Sequence, residues 1–171
     1  TRDGQQAKGR LFLQTEAIST TLPPSLADVP RIDEATSILQ RDMQLKLLPN
    51  NCPQHMGGMW MINGLSWEDV TEFPRLGTTE VWAWKNSSPV THPMHMHLVA
   101  FQVLDRQAFT TGAGGEIIPV GSPQTPPAEE NGWKDTVVAY PGQVTRLRLR
   151  FTNPGQFVWH CHIVEHEDNE M

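Results

Sequence analysis

The sequence predicts an all-β fold, a sandwich or barrel, on three observations. Seven stretches have strand length and strand-like composition: Thr36–Leu48, Met59–Asn63, Thr79–Lys85, His97–Asp105, Asp135–Tyr140, Val144–Phe151 and Gln156–His162. Between them lie turn-forming clusters, among them Asn63-Gly64, Asn86-Ser-Ser-Pro89, Pro141-Gly142 and Asn153-Pro-Gly155, whose residues supply the backbone angles and local hydrogen bonds that reverse a chain. The one helical signal is a weak one after Asp33.

Taken in order, residues 1–35 are mixed. Arg10–Gln14 reads as a strand with Leu11 and Leu13 on one face and Phe12 on the other. Thr20–Pro30, with three prolines, reads as a linker. This places the end of a preceding domain and a linker in residues 1–35 and the main domain in residues 36–171. The stretch Thr110–Gly132 carries four prolines and five glycines without a period, so a long loop is expected there, either a binding rim or an ordinary surface loop. Six tryptophans, Trp60, Trp67, Trp82, Trp84, Trp133 and Trp159, are expected to pack in or against the core. Met59 and Met61, at strand spacing, are expected there too. Arg146, Arg148 and Arg150 alternate along one strand and are expected to form a solvated face.

With 171 residues the chain is long enough to bury a core. A formal charge of −6 argues against nucleic-acid binding. No apolar run is long enough to span a membrane as a helix, and the opening Thr1-Arg-Asp-Gly-Gln-Gln6 lacks a signal-peptide pattern. Of the two cysteines, Cys161 is wedged between two histidines, so a disulfide with Cys52 is not expected.

Six of the seven histidines fall in two short segments, His92-Pro-Met-His95-Met-His97 and His160-Cys161-His162…His166, the second followed by Met171. Along a strand, side chains alternate between faces. His160 and His162 therefore share one face and Cys161 the other, while His95 and His97 share a face and His92 has opposite parity. If the two segments pair side by side, one site forms from His92, Cys161, His166 and Met171. A second site on the other side draws on His95, His97, His160 and His162. Thiolate, two imidazoles and a weak thioether are the donor set of a blue-copper electron-transfer site. The second set, imidazoles alone, suits copper that binds dioxygen. Cys161 is bonded in sequence to both His160 and His162, which offers a path from the first site into the second. Pro93 removes a ladder donor, so the parity of His92 is expected to be approximate.

These two segments resemble the two C-terminal copper motifs of multicopper oxidases. Gly132-Trp-Lys-Asp-Thr136 and the Ile62-Asn-Gly…Trp67 run also look like that family's third cupredoxin domain. The likeness extends over residues 36–171, and the ending His162–Met171 looks most like bacterial spore-coat laccases, bilirubin oxidases and phenoxazinone synthases. The resemblance implies a cupredoxin-like Greek-key β-sandwich, the C-terminal domain of a multi-domain oxidase with four coppers in the complete enzyme. It implies type 1 copper on His92, Cys161 and His166 with Met171 axial, type 2 copper on His95, and a type 3 pair on His97, His160 and His162. His166 would take electrons from the substrate, a phenolic or related aromatic molecule, and Glu167 would help deliver protons to dioxygen. Export, to periplasm, cell exterior or spore coat, is implied as well.

The departure is a half-set of ligands. The family's trinuclear cluster takes four His-X-His motifs, and this chain has two, with His55 alone. An N-terminal cupredoxin part is therefore expected in another chain or in a missing segment. Two other readings compete: a simple blue-copper electron carrier, for which the second imidazole set has no use, and a copper-tolerance oxidase of metal ions. The latter draws support from Met56, Met59, Met61, Met94 and Met96, although Met94 and Met96 are expected to point away from the flanking ligands.

Overall fold

The computed structural model describes residues 27–49 and 58–171. The Arg10–Gln14 strand, most of the proline-rich linker, Cys52, His55 and Met56 lie outside the described residues. Within them the chain forms β1 (Ser37–Leu48), β2 (Met59–Ile62), β3 (Thr79–Asn86), β4 (His92–Met96), β5 (Phe101–Thr111), β6 (Ile117–Gln124), β7 (Thr136–Ala139), β8 (Gln143–Arg150), β9 (Trp159–Cys161) and one short helix, α1 (Val164–Glu167). The weak helical signal after Asp33 is a single 3-10 turn, Glu34–Thr36, in which the Asp33 carboxylate accepts the Ala35 N–H at 3.0 Å.

The strands make two sheets, six strands in the order β2-β1-β3-β8-β5-β6 and three in the order β7-β4-β9. All pairs are antiparallel except β1 with β3. The core lies between the sheets. Met43, Leu45, Trp82, Trp84, Phe101, Val103, Leu147 and Leu149 from the larger sheet meet Met94, Met96, Val137, Ala139 and Cys161 from the smaller. Each fully buried large side chain contributes roughly 1.5–3 kcal/mol. Asn63 fastens β2 to β1. It adopts φ 55° after the strand, its N–H donates to Gln44 O at 2.8 Å, and its Oδ1 accepts the Gln44 N–H at 2.7 Å.

Five expectations are corrected. The strand expected over His97–Asp105 starts four residues late and runs on to Thr111 as β5; residues 97–100 are a turn between β4 and β5, where Leu98 lies in the left-handed region at φ 46°. For a non-glycine residue this costs about 1–3 kcal/mol. The expected loop Thr110–Gly132 contains β6, an edge strand antiparallel to β5; its Pro119 and Pro123 hide the pattern, and an edge strand tolerates them because its outer side needs no ladder donors. Arg146 and Arg148 are not a solvated face. The segment around Ile32–Ser37 is drawn over Arg148, which is buried and donates to Ser37 Oγ and Ile32 O, with Glu34 at 3.4 Å, while Arg146 is half-buried and pairs with Asp105 on β5 at 2.6 Å. Met59 is exposed and Met61 half-buried rather than core. The tryptophans also divide: Trp82 and Trp84 are buried, Trp60 and Trp159 half-buried, and Trp67 and Trp133 exposed.

Candidate metal centres

β4 is the middle strand of the smaller sheet, and its antiparallel pairing with β9 sets Met94 opposite Cys161 and His95 opposite His160. Period-two alternation then divides the side chains as the sequence parity expects. His92 and Cys161 fall on the core side with Met94, and His95 and His160 on the other. Pro93 does not break β4, because it stands where β9 ends and its carbonyl accepts the His162 N–H at 2.7 Å. The single turn of α1 brings His166 back beside Cys161, with its N–H on Ile163 O at 2.9 Å. Met171 is buried in the same apolar core as Cys161; its backbone accepts from Cys161 N–H at 2.8 Å and donates to His166 O at 3.0 Å.

In the first group, His92 Nδ1, His166 Nδ1 and Cys161 Sγ form a triangle with sides of 3.3, 3.4 and 3.6 Å. An ion at its centre would stand about 2 Å from each corner (the mean side divided by √3), close to the ~2.0–2.3 Å bonds that imidazole nitrogen and thiolate make with zinc, a metal of similar size. The donor set and its spacing therefore fit a trigonal metal. Trp60 covers the group from outside, stacked on the His166 ring at 4.5 Å and 22° and edge-on to His92 at 5.3 Å. Burial, with His166 adding to it, pushes His92 down to about 4, and burial also lowers His166. Both imidazoles are thus neutral at pH 7 with a lone pair to give. Burial raises the Cys161 thiol, so a metal must displace its proton on binding.

The second group sets His95, His97 and His160 so that one donor atom of each lies within 4.8 Å of the others. His95 Nδ1 donates to Asp135 O at 3.0 Å, with Thr136 Oγ1 also at 3.0 Å, and His160 Nδ1 donates to Cys161 O at 3.0 Å. Carbonyl partners fix Nδ1 as the protonated nitrogen and leave Nε2 of both rings free for a metal. His97 Nε2 is 3.1 Å from His160 Nε2. His162 stands at the edge of the group, its ring 5.5 Å from that of His95 and 5.7 Å from that of His160. His97 and His162 are exposed, so this group is open on one side. The Glu167 carboxylate lies 3.5 Å from His160 Nδ1.

A family model for multicopper oxidases matches residues 39–171. The chain belongs to the multicopper oxidase family. It is 47% identical over 116 residues to a laccase of Bacillus subtilis, an alignment covering 65% of this chain and 23% of the laccase. It is 31% identical over 203 residues to the multicopper oxidase LPR1 of Arabidopsis thaliana, covering 99% of this chain and 34% of the relative. Among solved structures, a multicopper oxidase of Aquifex aeolicus superposes with a TM-score of 0.65 at 26% identity, over 91% of this chain and 32% of that one. The chain thus spans about a quarter to a third of these relatives. The family implies copper, and the cupredoxin-like sandwich agrees with the structural neighbours.

Sequence reasoning passed over several groups around these sites. In sequence Trp60 reads as general packing, and Asn86-Ser-Ser-Pro89 only as turn punctuation. Asp135 and Thr136 stand only as the start of an expected strand and as part of the Gly132–Thr136 resemblance. Their partners are 4, 32, 40, 41 or 106 residues away, and only the pairing of β4 with β7 and β9 and the turn of α1 brings most of them within reach.

Proposed function

We propose that this chain carries the electron-accepting copper and half of the dioxygen-reducing centre of a laccase-like oxidase. The observation supporting it is that Cys161 lies in one metal-competent group while His160, its neighbour in sequence, lies in the other. In this reading His92, Cys161 and His166 would hold type 1 copper with Met171 as its weak thioether ligand, His95 would hold type 2 copper, and His97, His160 and His162 would hold the type 3 pair. Copper at these positions supplies a one-electron couple in the first group and dioxygen reduction in the second.

The chain's own residues organise the rest. His166 is the most exposed of the triad at 8%, against none for His92 and Cys161, so a phenolic or related aromatic donor meets the triad there. The backbone on either side of Cys161 leads to His160 and His162. Four single-electron steps and four protons balance one dioxygen reduced to two waters, and Glu167, beside His160 and half-buried, holds and passes protons at its carboxylate. The exposed His97 and His162 await further ligands from an N-terminal cupredoxin part, in another chain or segment. Export belongs to the same reading. Met94 and Met96 are buried core residues and cannot greet an arriving metal ion, which weakens the metal-ion oxidase alternative. The open imidazole group weakens the simple-carrier alternative.

The test is oxygen uptake with a phenolic substrate by the copper-loaded oxidase. Cys161→Ser is expected to abolish uptake and the blue colour together, and Glu167→Gln to slow uptake with the blue colour intact. Wild-type uptake by Cys161→Ser would defeat the proposal, as would four coppers and dioxygen reduction by this polypeptide alone.

A further inference from the structure

We infer that Ser88, held by Asn86, is a positioning residue for the first metal group: its hydroxyl oxygen takes the Nε2 proton of His92 and so commits Nδ1 of that ring to the metal. The inference rests on the type 1 reading of His92, Cys161 and His166.

The three residues are all buried and close in sequence. Asn86 ends β3, Ser88 lies in the turn, and His92 starts β4. Their hydrogen bonds can be counted atom by atom. Asn86 Nδ2 lies 2.7 Å from Val90 O and 2.9 Å from Ala139 O. Carbonyls only accept, so both amide hydrogens are spent there and Asn86 Oδ1 is left as an acceptor. It accepts the Ser88 N–H at 3.0 Å and faces Ser88 Oγ at 2.7 Å. Ser88 Oγ has one proton. Asn86 Oδ1 and Val90 O, the latter at 3.2 Å, both require it and neither can donate in return.

Ser88 Oγ accepts a long bond from the Val90 N–H at 3.4 Å, and its second acceptor position faces His92 Nε2 at 2.7 Å. With the hydroxyl proton already drawn to Asn86, this contact is a hydrogen bond only if His92 Nε2 carries the proton and donates it. The neutral ring then has its lone pair on Nδ1, the atom 3.4 Å from Cys161 Sγ and 3.3 Å from His166 Nδ1. The tautomer is thus set before any metal arrives. The acceptor on Nε2–H also makes the ring a stronger donor, which favours the more highly charged cupric state. The Ala139 carbonyl that anchors Asn86 belongs to the residue paired with His92 across β7, so the same network fixes the ring's place in the sheet.

The experiment has a copper-free and a copper-loaded arm. In the copper-free protein, imidazole 1H–15N correlation spectra at neutral pH are expected to show His92 protonated at Nε2 and bare at Nδ1. A ring protonated at Nδ1 would overturn the inference. In the copper-loaded oxidase, Ser88→Ala is expected to lose blue copper to a chelator about 10- to 100-fold more readily and to raise the reduction potential of that copper. Ser88→Thr, which keeps the hydroxyl, restores both. Wild-type retention and potential in Ser88→Ala would overturn the inference. A wild-type protein that binds copper without a blue thiolate band would defeat the type 1 reading instead, and the tautomer spectrum would still decide the role of Ser88.

Discussion

Replacing Trp60 probes the first metal group from its outer side. The indole makes two ring contacts, stacked on His166 at 4.5 Å and 22° and edge-on to His92 at 5.3 Å and 67°. Each such pair adds about 0.5–1.5 kcal/mol beyond the area it buries. Trp60→Leu keeps an apolar side chain and loses both contacts, for an expected cost of about 1–3 kcal/mol. In a domain of this size that lowers the midpoint of thermal unfolding by about 2–12 °C. Trp60→Phe keeps a ring over His166 and should lose less. Calorimetry on the copper-free protein reads this term without any metal. If the contact energy serves to hold the His166 ring in place, copper retention in Trp60→Leu falls by about 5- to 150-fold, at 1.4 kcal/mol per tenfold. A Leu variant that melts with the wild type would refute the reasoning, and so would a Phe variant that falls as far as the Leu variant.

Three further outcomes are expected. Met171→Leu removes the weak axial sulfur and should raise the type 1 potential while the blue colour stays; an unchanged or lower potential in a redox titration would remove Met171 from the ligand set. Arg41→Ala strands the Glu80 carboxylate, which is buried and otherwise bonded to Arg41 at 2.6 and 3.0 Å and to Trp82 Nε1 at 3.1 Å. The loss should be about 3–5 kcal/mol by urea unfolding, largely recovered when Glu80 is also made apolar. The Arg106 guanidinium holds Glu130 below the usual carboxylate range near 4.5. A depressed folded value contributes stability above the unfolded value, lost as the pH falls through the folded one. Glu130→Gln should therefore cost about 1 kcal/mol at neutral pH, and its stability should converge with that of the wild type as the pH falls below the ordinary 4.5 and through the lowered folded value; a constant gap across that range would contradict the assignment.

Much of the site was legible because strand parity is a local property. The spacing of His160, Cys161 and His162 divides their side chains between two faces whatever the rest of the chain does, and the β4–β9 register keeps that division. In the larger sheet β1, β2, β3 and β8 were legible because strand composition and turn residues are local too. Prolines concealed β6, since the missing donors of Pro119 and Pro123 are harmless only on an edge, and a lone sequence does not say which strand is the edge. The turn at Leu98 was hidden because nothing in Leu98 itself asks for left-handed backbone. Arg148 looked solvated because the segment that covers it lies more than a hundred residues earlier. Trp60 and Ser88 were read as packing and punctuation, because their role depends on which imidazole faces them across the fold.

The central claim is that two copper centres stand on opposite sides of Cys161. Anomalous diffraction at the copper edge, on crystals of the copper-loaded oxidase, tests it most directly. The account predicts one peak inside the His92–Cys161–His166 triangle, about 2 Å from each donor atom, and separate peaks against the Nε2 atoms of His95, His97 and His160. An empty triangle, or copper confined to one side of Cys161, would contradict it.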